Sequence, residues 1–125
     1  MHDSLPPLVA IVDDDESVRA SLPEVVRQFG FRARVFSSAD RFLASDCIAE
    51  TRCLIVDIAM PGMSGRDLFK TLRRRGNETA VIFITSRVDE SARVLLLKQG
   101  AVECLFKPFS DTALLAALNN AVRPR

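Results

Sequence analysis

Four short apolar runs punctuate the chain: LVAIV (8–12), CLIVDI (53–58), AVIFIT (80–85) and VECLF (102–106). They are mostly rich in β-branched residues and bounded by polar or turn residues, which predicts buried strands rather than helices. A fifth segment, FRARVF (31–36), alternates Phe31, Ala33 and Val35 with Arg32, Arg34 and Phe36. Such a strand has one wet face, which predicts a place at a sheet edge.

Between these runs the apolar period lengthens to that of helices. Val18, Leu22, Val25, Val26 and Phe29 share one helical face, and Gly30 stands where a helix stop is expected. Pro23 interrupts that face. Inside a helix it removes one hydrogen bond and costs about 3 kcal/mol, so a kink or an irregular turn is predicted. A short second helix starts near Ser38 and holds Phe42 and Leu43. Ser64 is placed to cap a third, with Asp67 three residues on and Leu68, Phe69 and Leu72 inside. A fourth covers roughly 89–99, closes at Gly100, and sets Val94 and Leu97 toward the sheet. One apolar stripe cannot bury all of Val94, Leu95, Leu96 and Leu97, so Leu95, Leu96 or both are expected toward solvent. Ser110 caps a fifth helix carrying Leu114, Leu115, Leu118 and Val122. Strict alternation of strand and helix predicts an α/β fold, with right-handed crossovers, a parallel sheet and helices on both faces.

Length and composition narrow this picture. At 125 residues the chain is expected to form one domain over 1–125. Its core is placed at about 7–122, and 123–125 read as a terminus or the start of a linker. The formal net charge of +1 gives no electrostatic reason to bind nucleic acid or an anionic membrane. The apolar runs are far shorter than the roughly 20 residues that span a bilayer. The opening MHDSLPP lacks the basic-then-apolar order of a signal peptide. Cys47, Cys53 and Cys104 form no CxxC pair and His2 is the only histidine, which argues against a zinc site or a disulfide framework and fits a reducing cytoplasm.

In open parallel sheets, ligands bind beyond the carboxyl ends of the strands. Those ends carry Asp13, Asp14 and Asp15 after strand one, Asp57 at strand three, Thr85 and Ser86 after strand four, and Lys107-Pro108 after strand five. Taken singly each has a plain explanation: an Asp run before a helix is commonly a cap, and a Lys at a strand end is commonly solvated. Asp57 resists this, because it interrupts a run that otherwise reads as core. Taken together they make chemistry. Carboxylates gathered within about 4–6 Å repel unless a cation joins them. Oxygen ligands without His or thiolate point to Mg²⁺. A carboxylate can attack phosphorus to give an aspartyl phosphate, whose oxygens Lys107, Thr85 and backbone N–H groups could then receive.

The segments IVDDDESVR (11–19), LIVDIAMPGMSG (54–65), FITS (83–86) and GAVECLFKPF (100–109) resemble a response-regulator receiver domain of two-component signalling. The resemblance covers residues 7–122, and the wording is most similar to receivers of FixJ/NarL-type transcription regulators. It implies a flavodoxin-like/CheY-like (βα)5 sheet of order 2-1-3-4-5. It also implies Asp57 as phosphoacceptor, and Mg²⁺ held by Asp14, Asp57 and the backbone carbonyl of Ala59, with Asp13 acting through water. Lys107 would pair with Asp57 or its phosphoryl group, Thr85 would bond a phosphoryl oxygen, and Pro108 would follow a cis peptide. Asp15 matches no site position and is read as a helix-start residue. The implied function is a phosphorylation-activated switch that catalyses only its own phosphotransfer and autodephosphorylation. Its implied partners are a histidine kinase or phosphotransfer protein and a homodimer contact through helix four and strand five, and transcription is controlled through an effector domain or partner. Direct nucleic-acid binding by this domain is not expected.

Two positions depart from the family pattern. Cys104 stands where an aromatic ring is usual, and Ala59 where a larger side chain is common. The weighed enzyme alternative is a haloacid-dehalogenase-type phosphatase with a first-strand Asp nucleophile, which Asp13-Asp14-Asp15-Glu16-Ser17 fits only loosely. A flavin-binding module would need small or hydroxyl residues in the first turn, where three carboxylates stand instead. The sequence contains no GxxxxGK[ST] for a P-loop.

Overall fold

The structure, a computed structural model, describes residues 5–123, so His2 and the expected linker positions 124–125 lie outside the described residues. Strands β1 (Leu8–Val12), β2 (Arg32–Phe36), β3 (Thr51–Asp57), β4 (Ala80–Thr85) and β5 (Glu103–Phe106) alternate with helices α1 (Glu16–Gln28), α2 (Ala39–Leu43), α3 (Gly65–Arg74), α4 (Glu90–Lys98) and α5 (Asp111–Val122). The sheet is parallel throughout, in the order β2-β1-β3-β4-β5. This is the predicted order, and it leaves β2 at an edge.

Side chains of the central strands alternate between two packed layers. Leu8, Ala10, Val12, Leu54, Val56, Val81 and Phe83 meet Phe42 of α2, Leu68, Phe69 and Leu72 of α3, and Leu96 of α4. Val9, Ile11, Ile55, Ile82 and Ile84 meet Leu22 and Val26 of α1 and Leu114 and Leu118 of α5. The free cysteines are packed into these layers. Burial pushes the Cys53 thiol up to about 12, so it sits there as an apolar group.

Local signals place most helix ends as read. Asp15 caps α1 by accepting from Ser17 N, which, with the Ser17 hydroxyl, holds its carboxyl below the usual range. Ser38 and Ser110 cap α2 and α5, and Ser64 with Asp67 forms a capping box on α3. Of the kink or irregular turn expected at Pro23, the irregular turn does not form. Helix α1 runs unbroken through it, with Leu22, Pro23 and Val26 all buried against the sheet.

Two burial assignments are corrected. In β2, Val35 is exposed and Phe36 is buried, because the Phe36 ring packs edge-on against Phe42 with centroids 5.4 Å apart. In α4, Val94 (46% exposed) does not face the sheet, and Leu96 (0%) does. Arg93, three residues before Leu96 and so on the same side of the helix, reaches across to Glu103 of β5 at 2.8 Å. Leu97 is half-buried, and Leu95 lies outward as expected.

Candidate functional site

Parallel strands deliver their carboxyl ends to one rim of the sheet, and the acidic and basic groups meet there. Asp13, one residue past β1, is fully buried, Asp57 ends β3 at 8% exposure, and Asp14 is exposed. One carboxylate oxygen from each lies within 4.8 Å of the others. Lys107, just past β5, places its Nζ 3.0 Å from Asp13 Oδ2 and 3.1 Å from Asp57 Oδ2. The Lys107–Pro108 peptide is cis, as the resemblance implied.

The electrostatics are strained by burial. Desolvation raises the Asp13 pKa and repulsion from Asp57 adds to this, against the Asp15 N–H and Lys107, which lower it. Burial alone would lower the Lys107 pKa, but its hydrogen bonds and charge pairing with Asp13 and Asp57 outweigh this and raise it. One ammonium thus faces three carboxylates. The oxygen-only donor set and its surplus negative charge suit a hard divalent cation.

Thr85 ends β4 at 5% exposure, with its Oγ1 accepting from Arg87 N at 3.1 Å and its carbonyl accepting from Lys107 N at 2.7 Å. Ala59 is exposed beside the site, and its N–H donates to Asp57 Oδ1 at 3.0 Å. The structure thus brings Asp13, Asp14, Asp57 and Lys107 into one cluster, with Thr85 and Ala59 at the same rim.

The site also contains contacts that sequence reasoning missed. Arg19 Nη1 donates to the Asp13 carbonyl at 2.9 Å. Gly65, which opens α3, is required by close approach. A Cβ there would collide with the backbone carbonyl oxygen of Asp57 and lie 3.2 Å from Ile58 Cα. The positive φ of 75° belongs to Gly62, earlier in the same loop.

Comparison with known proteins decides which rim of this kind it is. The family model of the response regulator receiver domain matches residues 9–119. The chain belongs to this family. The receiver is 39% identical over 118 residues to the transcriptional regulatory protein FixJ of Azorhizobium caulinodans, covering 94% of this chain and 55% of that protein. It is 38% identical over 116 residues to the response regulator protein TmoT of Ectopseudomonas mendocina, covering 93% and 53%. The receiver therefore spans about half the length of these curated relatives. A crystal structure of FixJ-N superposes with a TM-score of 0.82 at 36% identity, covering 98% of this chain and 95% of that one. Receivers of this family are signalling modules that typically bind Mg²⁺, and the phosphatase alternative finds no support. Among the described residues of this receiver, no helix is long and apolar enough to cross a membrane.

At Cys104 the receiver uses a different fastening from a ring. The Cys104 side chain is buried with Phe83 and Leu96, while Glu103 Oε1 accepts from both Arg93 Nη2 and the Cys104 N–H, at 2.8 and 2.9 Å. Arg93 and Glu103 side chains are about one-third exposed, so the pair is partly screened. A double-mutant cycle with Arg93→Met and Glu103→Gln, read by urea unfolding, is expected to give a coupling of about 1 kcal/mol. Additive single effects would show that the pair does not bind α4 to β5.

Proposed function

We propose that this receiver accepts a phosphoryl group on Asp57 from a histidine kinase, a phosphotransfer protein or a small phosphodonor. The observation that carries the reading is Lys107 lying between Asp13 and Asp57 with Asp14 beside them. An Asp57 carboxylate oxygen forms the new bond to phosphorus, and the bond from phosphorus to the donor breaks with its electron pair leaving on the donor. Asp14, Asp57 and the Ala59 backbone carbonyl would hold Mg²⁺, with Asp13 acting through water. When bound, the ion supplies positive charge to the phosphoryl oxygens. Lys107 keeps its proton and pairs with the oxygens of Asp57 or of the phosphoryl group. The Thr85 hydroxyl, which accepts from Arg87 N, retains its own proton for a phosphoryl oxygen.

The domain catalyses only its own phosphotransfer and dephosphorylation, in the cytoplasm, and binds no nucleic acid itself. It acts as one domain over 1–125 and passes the change through the Thr85–Glu90 loop and α4 to a homodimer contact at α4 and β5. It controls transcription through an effector domain or partner. The name of FixJ, a transcriptional regulatory protein, supports that reading.

With acetyl phosphate and Mg²⁺ the intact mass is expected to rise by one phosphoryl group, and Asp57→Asn to abolish the gain. An adduct that persists in Asp57→Asn and disappears in Asp13→Asn would overturn the assignment.

A further inference from the structure

Asp13 is held at every polar atom it has. Its N–H donates to Phe36 O at 3.1 Å, its Oδ1 accepts from Asp15 N at 2.9 Å, and its Oδ2 accepts from Lys107 Nζ at 3.0 Å. The fourth contact is the Arg19 guanidinium on its carbonyl, at 2.9 Å. That carbonyl belongs to the peptide group whose N–H is Asp14's own. Fixing it fixes the plane from which the Asp14 side chain departs. The peptide on the other side of Asp14 is fixed too, because Asp15 N is tied back to Asp13 Oδ1. Asp14 is exposed, and among the described residues its carboxylate sits in the acidic cluster with no hydrogen bond to orient it. Its direction is therefore set by its neighbours' backbone. Arg19 suits this work, because its own N–H bonds to Asp15 O at 3.1 Å and so roots it in the first turn of α1.

We infer that Arg19 is a positioning residue for the cation site: it orients the Asp13–Asp14 peptide and so preorganises Asp14 for Mg²⁺. The inference rests on the metal reading given above. It is separable from a plain charge effect by sign. A cation so near the site repels Mg²⁺, so loss of Arg19 as a charge would tighten binding. Loss of Arg19 as an orienting group loosens it.

Isothermal titration with Mg²⁺ alone tests this on the unphosphorylated protein. Arg19→Met is expected to bind about 10-fold more weakly than wild type. Arg19→Lys, which keeps the charge and one donor, is expected to fall between them, and melting in EDTA should separate the variants far less than affinity does. Equal or tighter binding in Arg19→Met overturns the role of Arg19. Affinity losses that track melting in EDTA overturn it as well, in favour of a merely structural part. A wild type that binds no Mg²⁺ overturns the metal reading itself, and that outcome is recognised before any variant is compared.

Discussion

Gly65→Ala is expected to destabilise the receiver by about 3 kcal/mol, at the upper end of overpacking costs, and to slow phosphorylation of Asp57. The new Cβ would overlap the Asp57 carbonyl oxygen, and its other near neighbours, Asp57 C at 3.0 Å and Ile58 Cα at 3.2 Å, are backbone as well. No side chain can rotate away. Gly65 N also bonds Ile58 O at 3.0 Å, so the first turn of α3 is tied to the residue that directly follows β3. Relief requires moving either α3, whose Leu68, Phe69 and Leu72 are buried, or the end of β3 that carries Asp57. Gly62→Ala is the informative control. Its φ is 75° with nothing within 4 Å, so its cost is conformational only, about 1 kcal/mol. Urea unfolding and acetyl-phosphate labelling rates compare the two. A smaller loss in Gly65→Ala than in Gly62→Ala would mean that α3 yields freely.

Mg²⁺ at about 100 times its dissociation constant is expected to stabilise the domain by about 2.7 kcal/mol. At about 4 °C per kcal/mol this raises Tm by about 10 °C. The driving force is the excess of three carboxylates over Lys107. Asp14→Ala is expected to lose most of that gain and, with one repelling charge gone, to melt above wild type in EDTA. Asp13 follows the same logic through pH. Its folded pKa is raised, so the unfolded chain releases this proton first and stability falls as pH rises through the ordinary carboxylate range. Above that range the loss persists, and Asp13→Asn is expected to remove it in metal-free buffer. Calorimetric scans with and without MgCl₂ check both variants. An equal Mg²⁺ gain in wild type and Asp14→Ala would remove Asp14 from the site.

The rim was legible in the sequence because strands β1 and β3 are apolar runs that stop abruptly at acids, and only a parallel sheet brings such ends together. Lys107 and Thr85 followed from the same rule. The facing of α4 was not legible, since a continuous apolar run at 94–97 carries no phase of its own. The core takes Leu96, and on the same side Arg93 meets Glu103, a pairing of residues ten apart that no periodicity reveals. Gly65 and Arg19 escaped for a related reason. One is defined by a backbone that approaches it, the other by a carbonyl, and neither partner leaves a mark in residue type.

The two-layered interior assigns separate mechanical duties to the two sides of the sheet. Helices α1 and α5 rest on one set of strand side chains and α2, α3 and α4 on the other, with only strand backbone between them. A shift of α4 would bear first on Leu96, Phe83, Phe69 and their neighbours, which lie in the layer away from α1. Repacking of α4 and repacking of α1 therefore load different sets of side chains, and what joins α1 to the rim is polar: the bonds of Arg19 and Asp15 to Asp13.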